Sequence, residues 1–320
     1  MRIGFYLKWE KGSLGRSKGN VLGDELYAES LAKELNLLPE VTGAEVYSPS
    51  HLPEQPLDVM IYMNDTAPDE MLARKHLLYL QNAYGNGSDL KLEELRAHRY
   101  DGYAFISQTL LSLHRAAGYE GLFLPFGVDA ENFSPRPVDP KFSFEVAYVG
   151  NDIKGPERTN AYLFPALPFD FGLFGNWLLP RSRFRIWKNW GQPEYRKRFA
   201  KISRGKIPQE QVPVLYSSAK INLNCTAQDC VDWDVITLRS LEVMACDGFL
   251  ISDRVPSAEH LLGDYAVFTD GGDDLGRKID YYLLHEGERR LRAEAGGRFV
   301  RDNFSMGSTS RNLLRYLKEL

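Results

Sequence analysis

The sequence predicts an α/β protein made of two Rossmann-like domains, and three observations predict it. Short apolar runs alternate with helical patterns through the first half of the chain, the arrangement of a parallel sheet covered on both faces. A Pro- and Gly-rich connector closes that half at residues 124–137, after which the alternation begins again. The chain has 320 residues, enough for two domains of about 150 residues that each bury a core.

In order along the chain, apolar runs at residues 3–7, 44–47, 59–63, 76–80, 102–106 and 122–124 read as buried strands. Helical patterns lie between several of them, at 24–35 and 90–97. The second series opens with a strand at 144–149 that ends in Gly150 and leads through a loop to a helix near 157–164. Further strands are expected at 169–174, 221–225, 249–252 and 266–268. Residues 273–320 read as mostly helical, with one interruption at 303–307. The expected domains are 1–135 and 136–302, with a C-terminal helix, 303–320, packing back toward the first. Paired sheets of this kind predict a ligand crevice at the carboxyl ends of their strands.

Composition excludes several classes. With 43% hydrophobic and 26% charged residues the chain is an ordinary globular protein, and a formal charge of −4 argues against a general nucleic-acid binder. Cys225, Cys230 and Cys246 make an odd count without zinc-site spacing. They read as reduced thiols, so no metal is expected and the compartment is expected to be cytoplasmic. The N-terminus reads as a strand rather than a signal peptide. No apolar run approaches the roughly 18 residues of a membrane span, so any membrane contact would be peripheral.

The most informative stretch is 234–253. It sets Asp234 and Glu242 eight positions apart, a little over two helical turns, at the start of a helix that runs into Gly248 and a strand ending in Ser252 and Asp253. A loop and helix start facing one crevice suit a nucleotide sugar, with backbone N–H groups toward the diphosphate and a carboxylate toward ribose hydroxyls. Arg239, three residues before Glu242, can pair with it or reach the diphosphate. Asp232 and Asp234 match the Asp-x-Asp string of metal-dependent transferases, but that motif ends the strand of a single-sheet fold, and two Rossmann patterns argue against it here.

Lys154 and Arg158, leaving the first strand of the second domain, are the cations available to a departing diphosphate. Arg204 and Lys206 are lesser candidates. A helix start also has ordinary uses for such residues. Gly12, Gly15, Gly19 and Gly23, between the first strand and helix, permit close backbone approach to a phosphate or sugar. Their spacing is not that of a dinucleotide fingerprint. Residues 181–190 interleave Arg and Lys with Phe and Trp. They read as a Trp-anchored solvated excursion, with an anionic acceptor or a membrane surface as the alternative. None of the six histidines declares a catalytic triad.

From Leu124 onward these residues resemble GT-B glycosyltransferases of the group 1 superfamily. The connector with Pro125, Gly127, Val128, Asp129, Phe133 and Pro135 is similar to the signature that closes their N-domain, and 242–248 resembles their Glu-Ala-Met-Ala-x-Gly helix. Asp234 and Glu242 match the ends of their E-x7-E spacing, with Asp in place of the first Glu. Gly150-Asn151, Phe174–Trp177, Tyr216–Asn224, Arg239 with Glu242, and Tyr281–Arg290 resemble the spore-maturation (CgeB-like) branch.

The resemblance implies an enzyme moving a sugar from a nucleotide-sugar donor to an acceptor hydroxyl, sugar-containing or lipid-linked, with retention and without metal or other cofactor. Glu242 and Asp234 would be the catalytic carboxylates, with Lys154, Arg158, Arg204, Lys206, Arg239, Gly12 and Gly15 around the donor. Asp24, Asn82 and Tyr84 are the N-domain candidates for a base or sugar contact. A nucleotide-sugar epimerase or hydrolase of the same fold remains an alternative, as does a binding module with a degenerate site.

Overall fold

A computed structural model describes residues 1–12, 23–81, 88–177, 179 and 191–320. The chain forms two compact units. The first comprises Met1–Gly127, Asp232–Ile236 and Phe304–Leu320, and the second Val128–Val231 and Thr237–Asn303.

The first unit holds a sheet of strands β1 (Arg2–Tyr6), β2 (Gly43–Tyr47), β3 (Leu57–Tyr62), β4 (Ala73–Leu80), β5 (Gly102–Phe105) and β6 (Leu122–Phe123), all parallel, in the order β2-β1-β3-β4-β5-β6. Helices α1 (Gly23–Leu35), α2 (Ser88–Ala97) and α3 (Gln108–Ala116) connect them. The apolar runs locate the strands because both faces of a parallel sheet are covered, as the almost wholly buried β3 illustrates. Strand β4 begins three residues earlier than its apolar run. Arg74 and Lys75 are polar residues at the open end of a buried strand, so hydrophobicity alone does not reveal them.

The second unit repeats the winding. Strands β7 (Val146–Val149), β8 (Phe171–Phe174), β9 (Ile221–Asn224), β10 (Leu250–Asp253) and β11 (Val267–Thr269) form a parallel sheet in the order β11-β10-β9-β7-β8. Its helices are α4 (Pro156–Tyr162), α5 (Glu194–Ile202), α6 (Val212–Ser218), α7 (Gln228–Asp232), α8 (Leu238–Ala245), α9 (Pro256–Leu262), α10 (Gly272–Leu284) and α11 (Glu286–Asn303). The first connection steps to one side of β7 and the later ones to the other. The direction of winding therefore reverses between β7 and β9, and ligands of doubly wound sheets sit outside the carboxyl ends of the strands at such a reversal.

One face of this sheet packs Val146, Tyr148, Phe171, Leu173, Ile221 and Leu223 with Trp177 and Phe199. The other packs Ala147 and Phe174 with Phe142, Phe144 and Leu215. Trp177 donates from Nε1 to the Gly150 carbonyl at 2.6 Å. Gly175 follows β8 at φ +123°, and a Cβ there would lie 2.1 Å from the Gly150 carbonyl oxygen. Gly175→Ala is therefore expected to cost about 2–3 kcal/mol, read as a lower urea midpoint with unchanged slope.

Three boundaries differ from expectation. The first unit ends at Gly127 rather than 135, because the following segment is held by the second unit. There Phe133 stacks on Tyr216 at 6.4 Å between ring centroids, and the Arg136 amide donates to Ser217 at 3.0 Å. Residues 232–236 belong to the first unit, where Trp233 packs on the core and its carbonyl accepts from the Ser107 hydroxyl at 2.5 Å. The helical tail breaks twice, since α10 stops at His285, whose Nδ1 lies 2.7 Å from the Tyr281 carbonyl, before the Asn303 break. The final helix α12 (Met306–Glu319) is capped by Ser305 and lies in the first unit, where Met306 and Thr309 pack against Gly127.

Candidate functional site

At the reversal point of the second sheet lie two cations that feel each other's charge, and neither makes an ion pair among the described residues. Lys154 lies in the loop after β7 and Arg239 in the first turn of α8, next to the carboxyl end of β9. Both are half-buried. Burial, and then the positive charge of Arg239, hold the Lys154 ammonium below the usual lysine range. Among the described residues Lys154 makes neither a hydrogen bond nor an ion pair. Arg239 donates from Nη1 to Asn224 Oδ1 at 3.0 Å and lies 5.0 Å over the Tyr148 ring.

Glu242 follows one turn later on α8. It is half-buried and has no hydrogen-bond partner among the described residues. Burial pushes its carboxyl from 4.5 up to about 7, against a smaller opposing pull from Arg239. The helix is braced from behind. After its end, Asp247 adopts a left-handed φ of 54° and its Oδ1 accepts from Arg301 at 2.8 Å. Arg301 also donates to the Ala245 carbonyl at 2.6 Å. A Cβ on Gly297 of α11 would lie 1.9 Å from Asp247 Oδ1 and 2.8 Å from the Met244 carbonyl oxygen, so the bare backbone of α11 packs on the end of α8.

Behind these groups lies a buried polar network. The fully buried Asp253 carboxylate accepts from the Thr226 amide and hydroxyl, each at 2.9 Å, from Ser252 Oγ at 3.2 Å, from Asn224 Nδ2 at 3.3 Å, and from Arg158. Arg158 also donates from Nε to the Thr226 carbonyl at 2.6 Å and from Nη1 to Gln228 at 3.0 Å, and its guanidinium covers the Tyr162 ring. Arg158 was expected beside a diphosphate. The structure instead commits its guanidinium to Asp253, which cancels its charge inside the domain.

The other expected residues divide similarly. Arg204 is exposed and covers Phe144, with the Arg204 amide donating to Leu173 of β8; Lys206 is exposed on the same segment. Strand β8 is the sheet edge, so this segment runs along the outer strand rather than at the β7–β9 reversal. Gly12 has φ +91°, but its amide already donates to the buried Glu25 carboxylate, which leaves that N–H without a role toward phosphate. Gly15, Gly19, Asn82, Tyr84 and the stretch 181–190 lie outside the described residues. Asp234 stands at φ +55° in the segment that goes with the first unit. Asp24 accepts from Asn64 at 2.8 Å.

Asn224, Thr226 and Asp253 were not singled out as site residues. The signal available was polar side chains at the carboxyl ends of otherwise apolar strands. Two histidines serve the first unit's packing: burial lowers His76, which lies 3.1 Å from the Tyr62 hydroxyl, and lowers His114 to about 4. The three cysteines are free thiols. Among the described residues no three His, Cys, Asp or Glu side chains gather as a metal-binding group, and no helix is long and apolar enough to cross a membrane. In the first unit, a groove lined by Arg2, Asp58, His76, His98 and Asp101 opens at the amino ends of the strands, opposite to where such sheets bind ligands.

The two parallel-sheet α/β domains have the GT-B architecture. Solved structures match the chain over essentially its whole length. Anabaena HepE in complex with UDP-glucose superposes with a TM-score of 0.70 at 13% identity, covering 100% of both chains. Sucrose-phosphate synthase from Thermosynechococcus elongatus gives 0.69 at 13% identity, covering 99% of this chain and 98% of that one. T4 phage BGT in complex with its UDP-glucose substrate gives 0.64 at 14% identity, covering 100% of both. Residues 168–315 match the family described as Glycosyl transferase-like. No curated protein is similar to the chain in sequence.

Proposed function

We propose that the chain is a glycosyltransferase that moves a sugar from a nucleotide-sugar donor to an acceptor hydroxyl. The observation that carries this reading is the Lys154–Arg239 pair at the β7–β9 reversal, neither of them ion-paired among the described residues, with Glu242 one turn beyond. The family match over 168–315 and the solved neighbours holding UDP-glucose support it. Lys154 and Arg239 take the donor diphosphate, and Glu242 accepts from the ribose hydroxyls. The bond from the anomeric carbon to the diphosphate oxygen breaks as the bond to the acceptor oxygen forms.

Charge that develops on the leaving diphosphate falls on the two cations, so no metal is needed for neutralisation. The acceptor proton passes to the departing diphosphate oxygen on the same face, giving retention. The acceptor is a sugar-containing or lipid-linked hydroxyl.

UDP-, GDP-, dTDP- and CMP-sugars are the ligands to screen by thermal shift. A donor at about 100 times its Kd adds roughly 2.7 kcal/mol of stability. The donor that shifts the melting point should then be consumed in proportion to glycosylated acceptor, in EDTA as in its absence. Failure of every nucleotide sugar to stabilise the protein removes this reading, and donor consumption without acceptor makes the protein a hydrolase or epimerase. Lys154→Ala should weaken donor binding ten- to hundredfold, the loss of one charge-assisted contact of about 1.5–3 kcal/mol, with the unliganded melting point preserved.

A further inference from the structure

We infer that Asn224 is a positioning residue that aims the Arg239 guanidinium while leaving its charge available to the ligand; this rests on the donor-site reading above. Asn224 ends β9 and is buried. Its Nδ2 faces the Asp253 carboxylate at 3.3 Å, Ser252 Oγ at 3.0 Å and Thr226 Oγ1 at 3.1 Å. A carboxylate can only accept, so the amide nitrogen must stay on that side. The opposite atom, Oδ1, is thereby turned toward Arg239 Nη1 at 3.0 Å and Thr237 Oγ1 at 3.3 Å. A flipped amide would set carbonyl against carboxylate and NH2 against guanidinium, losing both sets of bonds.

The two arginines show what this arrangement achieves. Arg158 is held by the Asp253 carboxylate, and its charge is cancelled. Arg239 is held by a neutral oxygen on one side and by the face of Tyr148 at 5.0 Å on the other, so it is oriented without a carboxylate bonded to it. Asp253 thus fixes both arginines, one directly and one through the amide of Asn224.

The test is a double-mutant cycle read by titration calorimetry, with Asn224→Ala, Arg239→Ala and the pair. UDP, GDP, ADP and dTDP are each titrated against their parent nucleosides, and melting curves confirm that each variant folds. Asn224→Ala should weaken diphosphate binding five- to tenfold, leave nucleoside binding at the wild-type value, and have no further effect once Arg239 is alanine. Asn224→Ser, whose shorter hydroxyl retains an acceptor, should lose less and serves if the alanine variant is unfolded.

Equal losses for diphosphate and nucleoside, or the same loss in the Arg239→Ala background, would overturn the inference. So would wild-type diphosphate affinity in Asn224→Ala. A wild-type protein that binds none of the four diphosphates instead defeats the donor-site reading itself.

Discussion

Removal of the Arg158 side chain is expected to destabilise the second unit by about 3–5 kcal/mol, because Asp253 is left as a fully buried carboxylate without its counter-charge. Asp253→Asn should cost a comparable amount by stranding the guanidinium. Replacing both by apolar residues of similar volume should be milder than either single change, since the remaining charge is then also gone. Urea unfolding followed by tryptophan fluorescence measures all three. Were Arg158 a diphosphate ligand, its removal would lower donor affinity with little change in the unliganded midpoint, which is the opposite pattern.

Glu242→Gln is expected to abolish the pH dependence of donor binding. The wild-type carboxyl ionises near 7, and ribose hydroxyls donate best to the anion. Donor affinity should therefore rise about tenfold per pH unit below 7 and level off above it, a span of roughly 30-fold from pH 5.5 to 8. The Gln variant should bind weakly and evenly throughout.

Unliganded stability runs the other way. A carboxyl whose folded value is raised from 4.5 to about 7 favours the folded state in its protonated form. Relative to the Gln variant, the contribution of Glu242 is fully present below pH 4.5 and is lost as pH rises through 7. The loss is at most about 3 kcal/mol, and the side chain's remaining solvent contact reduces it. The variant should thus melt above wild type at pH 8 and alongside it at pH 4.5. Calorimetric titrations and melting curves at four pH values check both halves. Parallel pH profiles for the two proteins would show that Glu242 does not titrate in this range.

Both sheets were legible because strands covered on two faces leave continuous apolar runs, and the doubling of the pattern marked two domains. Lys154, Arg239 and Glu242, which carry the proposed donor site, stood out as charged residues in the loop after β7 and on the helix before β10. That Arg158 is bound to a carboxylate while Lys154 is not could not be read. They stand four residues apart on one loop and helix start, and the difference lies in Asp253, 95 residues later. Asp234 shows the same limit: its eight-residue spacing from Glu242 suggested one helix approach, but Trp233 buries its neighbours in the other unit. That Arg204 and Lys206 run along the edge strand could not be read either, since which strand forms the sheet edge depends on pairing order rather than local sequence.

The missing side chain at Gly297 lets α11 close against the far end of α8. Its bare backbone faces the Met244 carbonyl and the Asp247 carboxylate, and Arg301 ties that carboxylate back to α11. Arg239 and Glu242 ride on one stiff rod, so a tug on either is felt by the other. Their relative position is set by the helix itself, so a shift at the Gly297 contact would move both together.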